Sequence, residues 1–353
     1  MGVEKRSVQS GLDYTIQVTG SGQGAVQFSC ASGDTILYAA LRSGLGFPYE
    51  CNSGGCGACQ FELVDGDVED LWPEAPGISE RQRGRGRRLA CQSVPGSDCS
   101  IKVRLNEDGA APVRPAVFTA VFEGARSLTP DMSEFTFRTT EPAQFLPGQF
   151  AMLRLPGVEG ARAYSMSNLA NEDGLWRFIV KRVAGGQGTS VLFDALEAGQ
   201  DVEITGPLGN SYLRTDNDRP IVCIAGGSGL SPVMSILRSI GADPRFDSRR
   251  VMFFYGGRGP ADMCVAEMLG AEPGLRDRVE LFLAISDDEA AGAAEWAGDR
   301  GFIHELVRKH LGESLAQYEY YFCGPPPMTD AVHRMLLLEA KVPAGQLHFD
   351  RFY

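Results

Sequence analysis

The sequence lacks any apolar run long enough to cross a bilayer, and residues 1–12 are polar, without the apolar core of a signal peptide. Positive charge is also scarce, because 33 Lys and Arg face 45 Asp and Glu, for a net charge of -12. So acidic a chain is poorly suited to binding nucleic-acid phosphates. We therefore expect a cytoplasmic protein that binds neither membrane nor nucleic acid.

The composition also argues against long helical bundles. The chain has 43 Gly and 20 Pro among 353 residues, which predicts many turns and glycine loops. Its length predicts two to three domains, each able to bury its own core. Disulfides are not expected from the nine cysteines, since the reducing cytosol keeps thiols free. Most cysteines outside the motifs below are expected to be small buried hydrophobes.

Four cysteines form a pattern. Cys51, Cys56 and Cys59 have the spacing C-x4-C-x2-C, and Cys91 follows far downstream. Plant-type [2Fe–2S] ferredoxins have this spacing, and the small residues between the cysteines let backbone amides approach charged sulfurs. The alternatives are a structural zinc site or simply reduced thiols. Zinc ligands usually come as two short knuckles, and Cys91 has no knuckle partner, so we predict a [2Fe–2S] cluster.

The surroundings of these cysteines predict a β-grasp ferredoxin domain over residues 13–106, preceded by a flexible N-terminal tail at 1–12. Two alternating segments, 14–18 and 25–29, flank a Gly-rich turn and predict a hairpin. Thr35 can cap a short helix over Ile36–Arg42. Strands are expected at 60–64 and 100–105.

Residues 107–115 are rich in Pro, Gly and Ala and predict a linker after this domain. The next segment, 116–216, contains many short alternating strands and one helical stretch at 190–197, which predicts a small antiparallel β-barrel. The strands are expected at 116–123, 133–139, 151–155, 176–183 and 201–205.

From residue 217 to 353 the pattern of apolar and polar residues changes. Continuous apolar strands at 221–225, 251–255, 279–285 and 320–323 alternate with helical stretches. Such strands are typical of a parallel sheet covered on both faces, as in nucleotide-binding α/β domains.

Residues Arg162, Ala163, Tyr164 and Ser165 resemble the flavin motif R-x-Y-S of the ferredoxin–NADP reductase family. An arginine can donate paired hydrogen bonds to a diphosphate, a tyrosine can stack on an isoalloxazine ring, and a serine can hydrogen-bond the N5 edge of the flavin. Tyr164 could instead belong to the core. The glycine-rich segment 181–190 follows this motif at the distance seen in the family. Because it leads into a helix, its backbone can bind the anionic pyrophosphate. The resemblance implies FAD contacts by Arg162, Ala163, Tyr164, Ser165, Val180, Lys181, Gly186, Gly188, Thr189 and Ser190.

Three further motifs resemble the nicotinamide nucleotide site of the same family. Residues 226–232 resemble G-G-x-G-x-x-P, residues 255–258 match Y-G-x-R, and residues 323–328 match C-G-P-P-x-M. The cysteine of the last motif implies a place beside the nicotinamide, although Cys323 could be a buried thiol. We predict catalytic roles for Ser165 and Cys323. The predicted coenzyme contacts are Gly226, Gly227, Gly229, Tyr255, Arg258, Asp287, Cys323, Gly324 and Pro325.

The choice of coenzyme can be argued from charge. NADPH-specific relatives carry a Ser-Arg pair where this chain has Ser286 followed by three carboxylates at 287–289. These would repel a 2′-phosphate, while Asp287 can accept a ribose hydroxyl, so we predict NADH. The aromatic C-terminus allows either a flavin contact by Tyr353 or a final strand of the sheet.

Taken together, the three segments resemble NADH-dependent reductase components of bacterial multicomponent oxygenases. Residues 46–59 and 71–77 resemble toluene monooxygenase reductases, while residues 162–166 and 324–328 are equally similar to carbazole dioxygenase reductase. The resemblance implies hydride transfer from NADH to FAD, then single electrons through the [2Fe–2S] cluster to a di-iron hydroxylase, a Rieske oxygenase or an intermediate ferredoxin. A P450 reductase, a diaphorase and a non-catalytic redox sensor are the alternatives, and we expect a monomer.

Charged runs flank the cluster motif. Residues 62–74 are acidic and either guide a basic partner or form a solvated loop. An arginine-rich run at 81–88 either balances the cluster or contacts a partner.

Overall fold

The computed structural model describes residues 13–20, 24, 26–106 and 112–351. The predicted tail at 1–12, most of the predicted linker and Tyr353 lie outside these residues. The chain divides into two compact units, residues 1–116 and 117–353, so the predicted boundary between barrel and nucleotide domain falls within the second unit. Among the described residues, no helix combines the length and apolar character that a membrane span requires.

The first unit is a five-stranded sheet with the order β2-β1-β7-β3-β5, beside a small β4–β6 ribbon. Its elements are β1 (Asp13–Thr19), β2 (Val26–Ala31), α1 (Ile36–Arg42), β3 (Gln60–Asp65), β4 (Val68–Asp70), α2 (Glu80–Arg83), β5 (Arg87–Leu89), β6 (Ser93–Pro95) and β7 (Cys99–Lys102). β1 and β7 are parallel, whereas β1 and β2 form the predicted antiparallel hairpin. Thr35 caps α1 by accepting a bond from the Tyr38 amide (3.2 Å). The β-grasp prediction is confirmed, with a shorter last strand.

The second unit begins with a six-stranded sheet ordered β11-β10-β13-β8-β9-β12. Its elements are β8 (Ala116–Thr129), β9 (Met132–Arg138), β10 (Phe150–Arg154), β11 (Arg162–Ser165), β12 (Leu175–Lys181), α3 (Gln187–Ser190), a π-helical continuation (Val191–Ala195) and β13 (Asp201–Leu208). A single antiparallel bridge between Met166 and Phe178 joins the edges carrying β11 and β12, which closes the predicted barrel. Trp176 is fully buried in its core.

The rest of the second unit is a parallel sheet with the order β17-β16-β15-β14-β18-β19. Its regular elements are β14 (Ile221–Gly226), α4 (Leu230–Ala242), β15 (Val251–Gly257), α5 (Val265–Gly270), β16 (Val279–Ile285), β17 (Asp299–Arg300), α6 (Ile303–Leu311), β18 (Glu319–Gly324), α7 (Pro326–His333) and β19 (Leu347–Arg351). Separate apolar cores cover the two faces, as fully apolar strands predict.

Residues Leu347–Arg351 form the edge strand β19, which pairs with β18. Phe349 stacks on Phe322 with ring centroids 4.8 Å apart. For residues 347–351 the structure therefore gives the final strand of the sheet, the second of the two possibilities considered for the C-terminus.

Candidate cofactor sites

The cysteine loop of the first unit needs glycine for two physical reasons. Gly54 and Gly57 have φ angles of 87° and 78°, which lie in the left-handed region. A Cβ on Gly57 would also overlap the Gly77 carbonyl, and one on Gly54 would lie 3.1 Å from the Trp72 ring. The loop is thus folded tightly against the segment that follows β4.

The four sulfurs lie in two pairs. Cys59 and Cys91 have their sulfurs 3.3 Å apart, and Cys51 and Cys56 share a thiol hydrogen bond. Backbone amides point into the loop: Ser53 and Cys56 donate to Cys51 Sγ at 3.4 and 3.3 Å. The Ala58 amide donates to Cys56 Sγ at 3.4 Å. This arrangement of amides stabilises thiolates, the form in which cysteine binds iron.

Within each pair the shared proton separates the two pKa values. The Cys56 thiol and the backbone amides lower the pKa of Cys51 to about 4, against the effect of burial. The hydrogen bond with Cys91 lowers the pKa of Cys59 and, together with burial, raises that of Cys91. The hydrogen bonds to Cys51 Sγ thus favour the thiolate form of that side chain.

The pairing of the sulfurs can be compared with the ligand sets of zinc and of a two-iron cluster. Across the described residues, no group of three or more His, Cys, Asp or Glu side chains surrounds a position for a single metal ion. A structural zinc ion needs four ligands around one point, whereas a [2Fe–2S] cluster divides four thiolates between two irons. The two sulfur pairs fit the division of ligands in a [2Fe–2S] cluster.

In the second unit, the two predicted flavin segments meet. Gly188 is buried, and a Cβ there would lie 3.1 Å from both Arg162 Cγ and the Tyr164 hydroxyl. The Tyr164 ring packs on the barrel core, and burial raises the pKa of its hydroxyl to about 12, so it stays neutral. Arg162 lies on β11 together with Tyr164 and donates to the Glu159 carbonyl (2.9 Å). The packing of Tyr164 matches the core role considered for it, and contacts from Arg162 and Tyr164 to FAD stay predictions.

Other residues of the flavin prediction have structural tasks. Val180 is 2% exposed and belongs to the barrel core. The Thr189 hydroxyl closes the glycine segment by accepting from the Val183 amide (3.2 Å), and Gly186 packs against it. Ala163 and Ser190 are exposed. Contacts from these residues to FAD stay predictions.

The glycine loop after β14 lies against the end of β18. A Cβ on Gly229 would overlap the Cys323 carbonyl, and one on Gly324 would lie 3.0 Å from the Gly226 carbonyl. Two motifs that are about a hundred residues apart in sequence thus share one backbone-to-backbone contact at the carboxyl ends of adjacent strands. Parallel sheets bind nucleotides at this edge.

Single residues at this edge differ in accessibility. Cys323 is 4% exposed, and burial raises its pKa well above the ordinary value, which keeps it a neutral thiol. Tyr255 is fully buried, and among the described residues its hydroxyl has no hydrogen-bond partner. Asp287 and Pro325 are exposed. The position of Tyr255 serves the core, and a coenzyme contact by it stays a prediction.

Lys181 and Arg258 lie in a cluster that joins the barrel to the nucleotide-binding part. The stem of Lys181 packs on Gly227, whose Cβ would lie 3.3 Å from Lys181 Cδ. Asp262 accepts from Lys181 Nζ (3.3 Å) and from Arg258 Nε (3.0 Å), while Asp131 accepts from Arg258 Nη2 (2.7 Å). The two carboxylates fix both cations beside the glycine loop.

Sequence reasoning missed these two aspartates and also Ser231. The Ser231 hydroxyl donates to the Ser165 carbonyl (2.6 Å) and accepts from the Ile179 amide (2.9 Å). An acidic residue after Y-G-x-R or a polar residue in G-G-x-G-x-x-P is visible in the sequence. Arg258 lies four residues from Asp262, but the other partners of these residues lie about 50 to 130 residues away.

Three family models match the chain. Residues 18–96 match the 2Fe-2S iron-sulfur cluster binding domain, residues 120–212 the oxidoreductase FAD-binding domain, and residues 223–334 the oxidoreductase NAD-binding domain. The matches lie in the order that the sequence motifs predict.

Whole-length relatives share all three segments. The chain is 42% identical to ferredoxin–NAD(P)+ reductase CarAd of Metapseudomonas resinovorans, over 96% of this chain and 100% of the relative. It is 41% identical to the ferredoxin–NAD+ reductase component of the alkene monooxygenase system of Xanthobacter autotrophicus, over 92% and 97%. Among solved structures, the ferredoxin reductase in carbazole 1,9a-dioxygenase superposes with a TM-score of 0.86 and 38% identity, covering 97% and 99%.

Proposed function

The chain belongs to the family of ferredoxin–NAD(P)+ reductases with 2Fe–2S, FAD and NAD domains, and from this membership we propose that it supplies electrons from NADH to another component of a bacterial oxygenase system. One observation carries the proposal. In a single compact unit, the predicted coenzyme loop touches the predicted flavin strands, through Lys181 on Gly227 and Ser231 on Ser165. Coenzyme and flavin would meet there.

When bound, FAD accepts a hydride from NADH and the [2Fe–2S] cluster accepts electrons singly. The chain positions these groups. Arg162 is proposed to bind the FAD diphosphate, Tyr164 to pack on its ring and Ser165 to hydrogen-bond its N5 edge. The small residues at 226–229 leave room for the coenzyme pyrophosphate against the backbone.

We propose a preference for NADH over NADPH. The 287–289 loop follows β16 and is exposed, and its start is fixed by a bond from the Asp287 amide to the Arg258 carbonyl (2.9 Å). Asp288 is neutralised by Arg300 (2.7 Å), which leaves Asp287 and Glu289 to disfavour a 2′-phosphate. Steady-state rates with both coenzymes test this, and equal kcat/KM values would contradict it.

The electron acceptor is proposed to dock on the first unit. Trp72 is 43% exposed and its ring packs on Gly54 of the cysteine loop, so a protein that covers it would come close to the cluster. The acidic residues at 62–74 favour a basic partner face, although Asp70 is partly neutralised by Arg88 (3.6 Å). We further propose that the chain works as a monomer in the cytoplasm, where NADH is available.

The decisive experiment mixes NADH-reduced protein with the remaining components of the carbazole 1,9a-dioxygenase and alkene monooxygenase systems. Stopped-flow absorbance measures the rate at which the cluster is reoxidised. Faster transfer to an oxygenase or ferredoxin component than to free ferricyanide is expected. Transfer that is no faster to any component than to the dye would overturn the proposed partner class.

A further inference from the structure

Ser231 occupies an unusual position at the junction of the barrel and the parallel sheet. It lies in the first turn of α4, directly after the glycine loop, and is 1% exposed. Its hydroxyl donates to the Ser165 carbonyl at the end of β11 and accepts from the Ile179 amide in β12. One side chain of the nucleotide-binding part therefore satisfies a donor and an acceptor of the barrel.

These two barrel groups face each other across the seam that closes the barrel. Met166 and Phe178 form an antiparallel bridge there, and the Ser167 amide donates directly to the Arg177 carbonyl (2.7 Å). In this register Ser165 lies opposite Ile179, where a direct backbone hydrogen bond would be the ordinary continuation. The Ser231 hydroxyl is inserted in its place, so the seam is completed by α4.

We propose that Ser231 is a positioning residue for hydride transfer, which fixes the backbone of Ser165 relative to the glycine loop. The inference rests on the proposed function, in which Ser165 contacts the flavin and residues 226–229 hold the coenzyme. Ser231 lies in the first turn of α4, and its side chain donates a hydrogen bond to the backbone of β11. It therefore sets the distance between Ser165 and the glycine loop. Displacements of about 1 Å between reactants can cost about a hundredfold in rate.

The chain offers a closely matched control on the same helix face. Ser235, one turn further along α4, is fully buried and donates to the Asn168 carbonyl of the barrel (2.7 Å). It makes the same kind of bond across the same junction, but at a residue beyond the flavin motif. A purely structural role of such bonds predicts equal effects of removing either hydroxyl.

The test compares Ser231→Ala, Ser235→Ala and wild-type holoenzyme. At saturating NADH, stopped-flow flavin reduction is expected to slow about tenfold in Ser231→Ala, with the NADH Kd within about twofold of wild type. Ser235→Ala is expected to keep the wild-type rate, and Ser231→Thr, which retains the hydroxyl, to restore most of it. Amide hydrogen exchange in the FAD-free protein should accelerate at Ile179 in Ser231→Ala only.

An unchanged flavin reduction rate in Ser231→Ala, or an equal loss in Ser235→Ala, would overturn the assignment. So would a Ser231→Thr variant as slow as Ser231→Ala, or unaltered exchange at Ile179. Failure of the wild-type protein to reduce its flavin with NADH would instead remove the proposed function itself. The two failures are therefore distinguishable.

Discussion

The two sulfur pairs of the first unit make each cysteine indispensable to one half of the cluster site. Cys51 pairs with Cys56, and Cys59 with Cys91. With a [2Fe–2S] cluster bound, each sulfur pair would hold one iron, so losing one thiol would remove one of the two protein ligands of that iron. The effect of a substitution should therefore fall on the cluster and spare the second unit, which forms its own core.

Cys56→Ser is expected to abolish cytochrome c reduction while leaving NADH reduction of the bound flavin unchanged. Cytochrome c absorbance and anaerobic flavin bleaching measure the two steps. Cys99→Ser is the matched control, since Cys99 is a buried thiol of the same unit that bonds the Asp67 carbonyl (3.4 Å). If a folded Cys56→Ser variant also lost flavin reduction, the order of the electron path would be wrong.

Asp262 shows how one carboxylate can stabilise the second unit. Burial by itself would raise its pKa, but hydrogen bonds from the Arg258 side chain and amide, with the charge of Lys181, lower it to about 2 from 3.8. A depressed folded-state pKa contributes stability that is complete above about pH 4 and is lost as the pH falls through about 2. The shift corresponds to about 2 kcal/mol.

Asp262→Asn keeps an acceptor for the Arg258 amide and removes the charge. At pH 7 we expect the second unit of the variant to be less stable than wild type by about 2 kcal/mol, or roughly 5 °C in Tm. The gap should narrow as the pH is lowered from about 4 towards about 2. Thermal release of fluorescent flavin measures it, and a gap independent of pH would contradict the ion-pair account.

At the scale of elements, the site depends on loops that bring strand ends into contact. The loop at 226–229 and the turn after β18 touch through backbone atoms, so a side chain at Gly229 would fill space that the Cys323 carbonyl occupies. The start of α4 and the end of β18 are thereby held in direct contact. This explains the glycine at that position without appeal to the ligand.

Gly229→Ala is expected to destabilise the second unit by at least ~3 kcal/mol, because the added methyl group must displace backbone. Gly270→Ala is the control, since Gly270 ends α5 and a Cβ there meets nothing within 4 Å. Thermal unfolding monitored by flavin fluorescence compares the two variants. A Gly229→Ala protein with wild-type Tm would show that the contact can relax.

At the scale of the whole molecule, the net charge of -12 governs encounters with other proteins. Long-range attraction brings a basic acceptor to an acidic surface faster, and salt screens it, with a Debye length of about 10 Å at 0.1 M. Of the acidic residues at 62–74, Asp65, Asp67, Glu69 and Glu74 are exposed and add to this field on the first unit.

Raising the ionic strength from about 0.02 to about 0.3 M is expected to slow reduction of cytochrome c, a basic protein, by at least ~3-fold. Ferricyanide, an anion, provides the control, and its reduction should accelerate or stay constant. Stopped-flow rates under saturating NADH measure both. A cytochrome c rate that is insensitive to salt would remove electrostatic steering from the account of docking.

Much of the architecture was predictable because its signals are local. The spacing of Cys51, Cys56 and Cys59, the alternating barrel strands and the apolar strands before glycine loops each lie within a short segment, where periodicity and residue type are decisive. Cys91 was predictable only through the spacing pattern. The cofactor classes follow from these segments, and the family matches confirm them.

The cofactors that the chain binds, and the order of their segments, can thus be predicted from residue types and spacings alone. The pairing of the sulfurs, the bonds from Asp131 and Asp262 to Arg258 and Lys181, and the completion of the barrel seam by Ser231 become visible in the folded chain. Apart from the local pairs Cys51–Cys56 and Arg258–Asp262, these contacts join residues about 30 to 130 positions apart, so the packing of whole elements creates them and no local pattern encodes them.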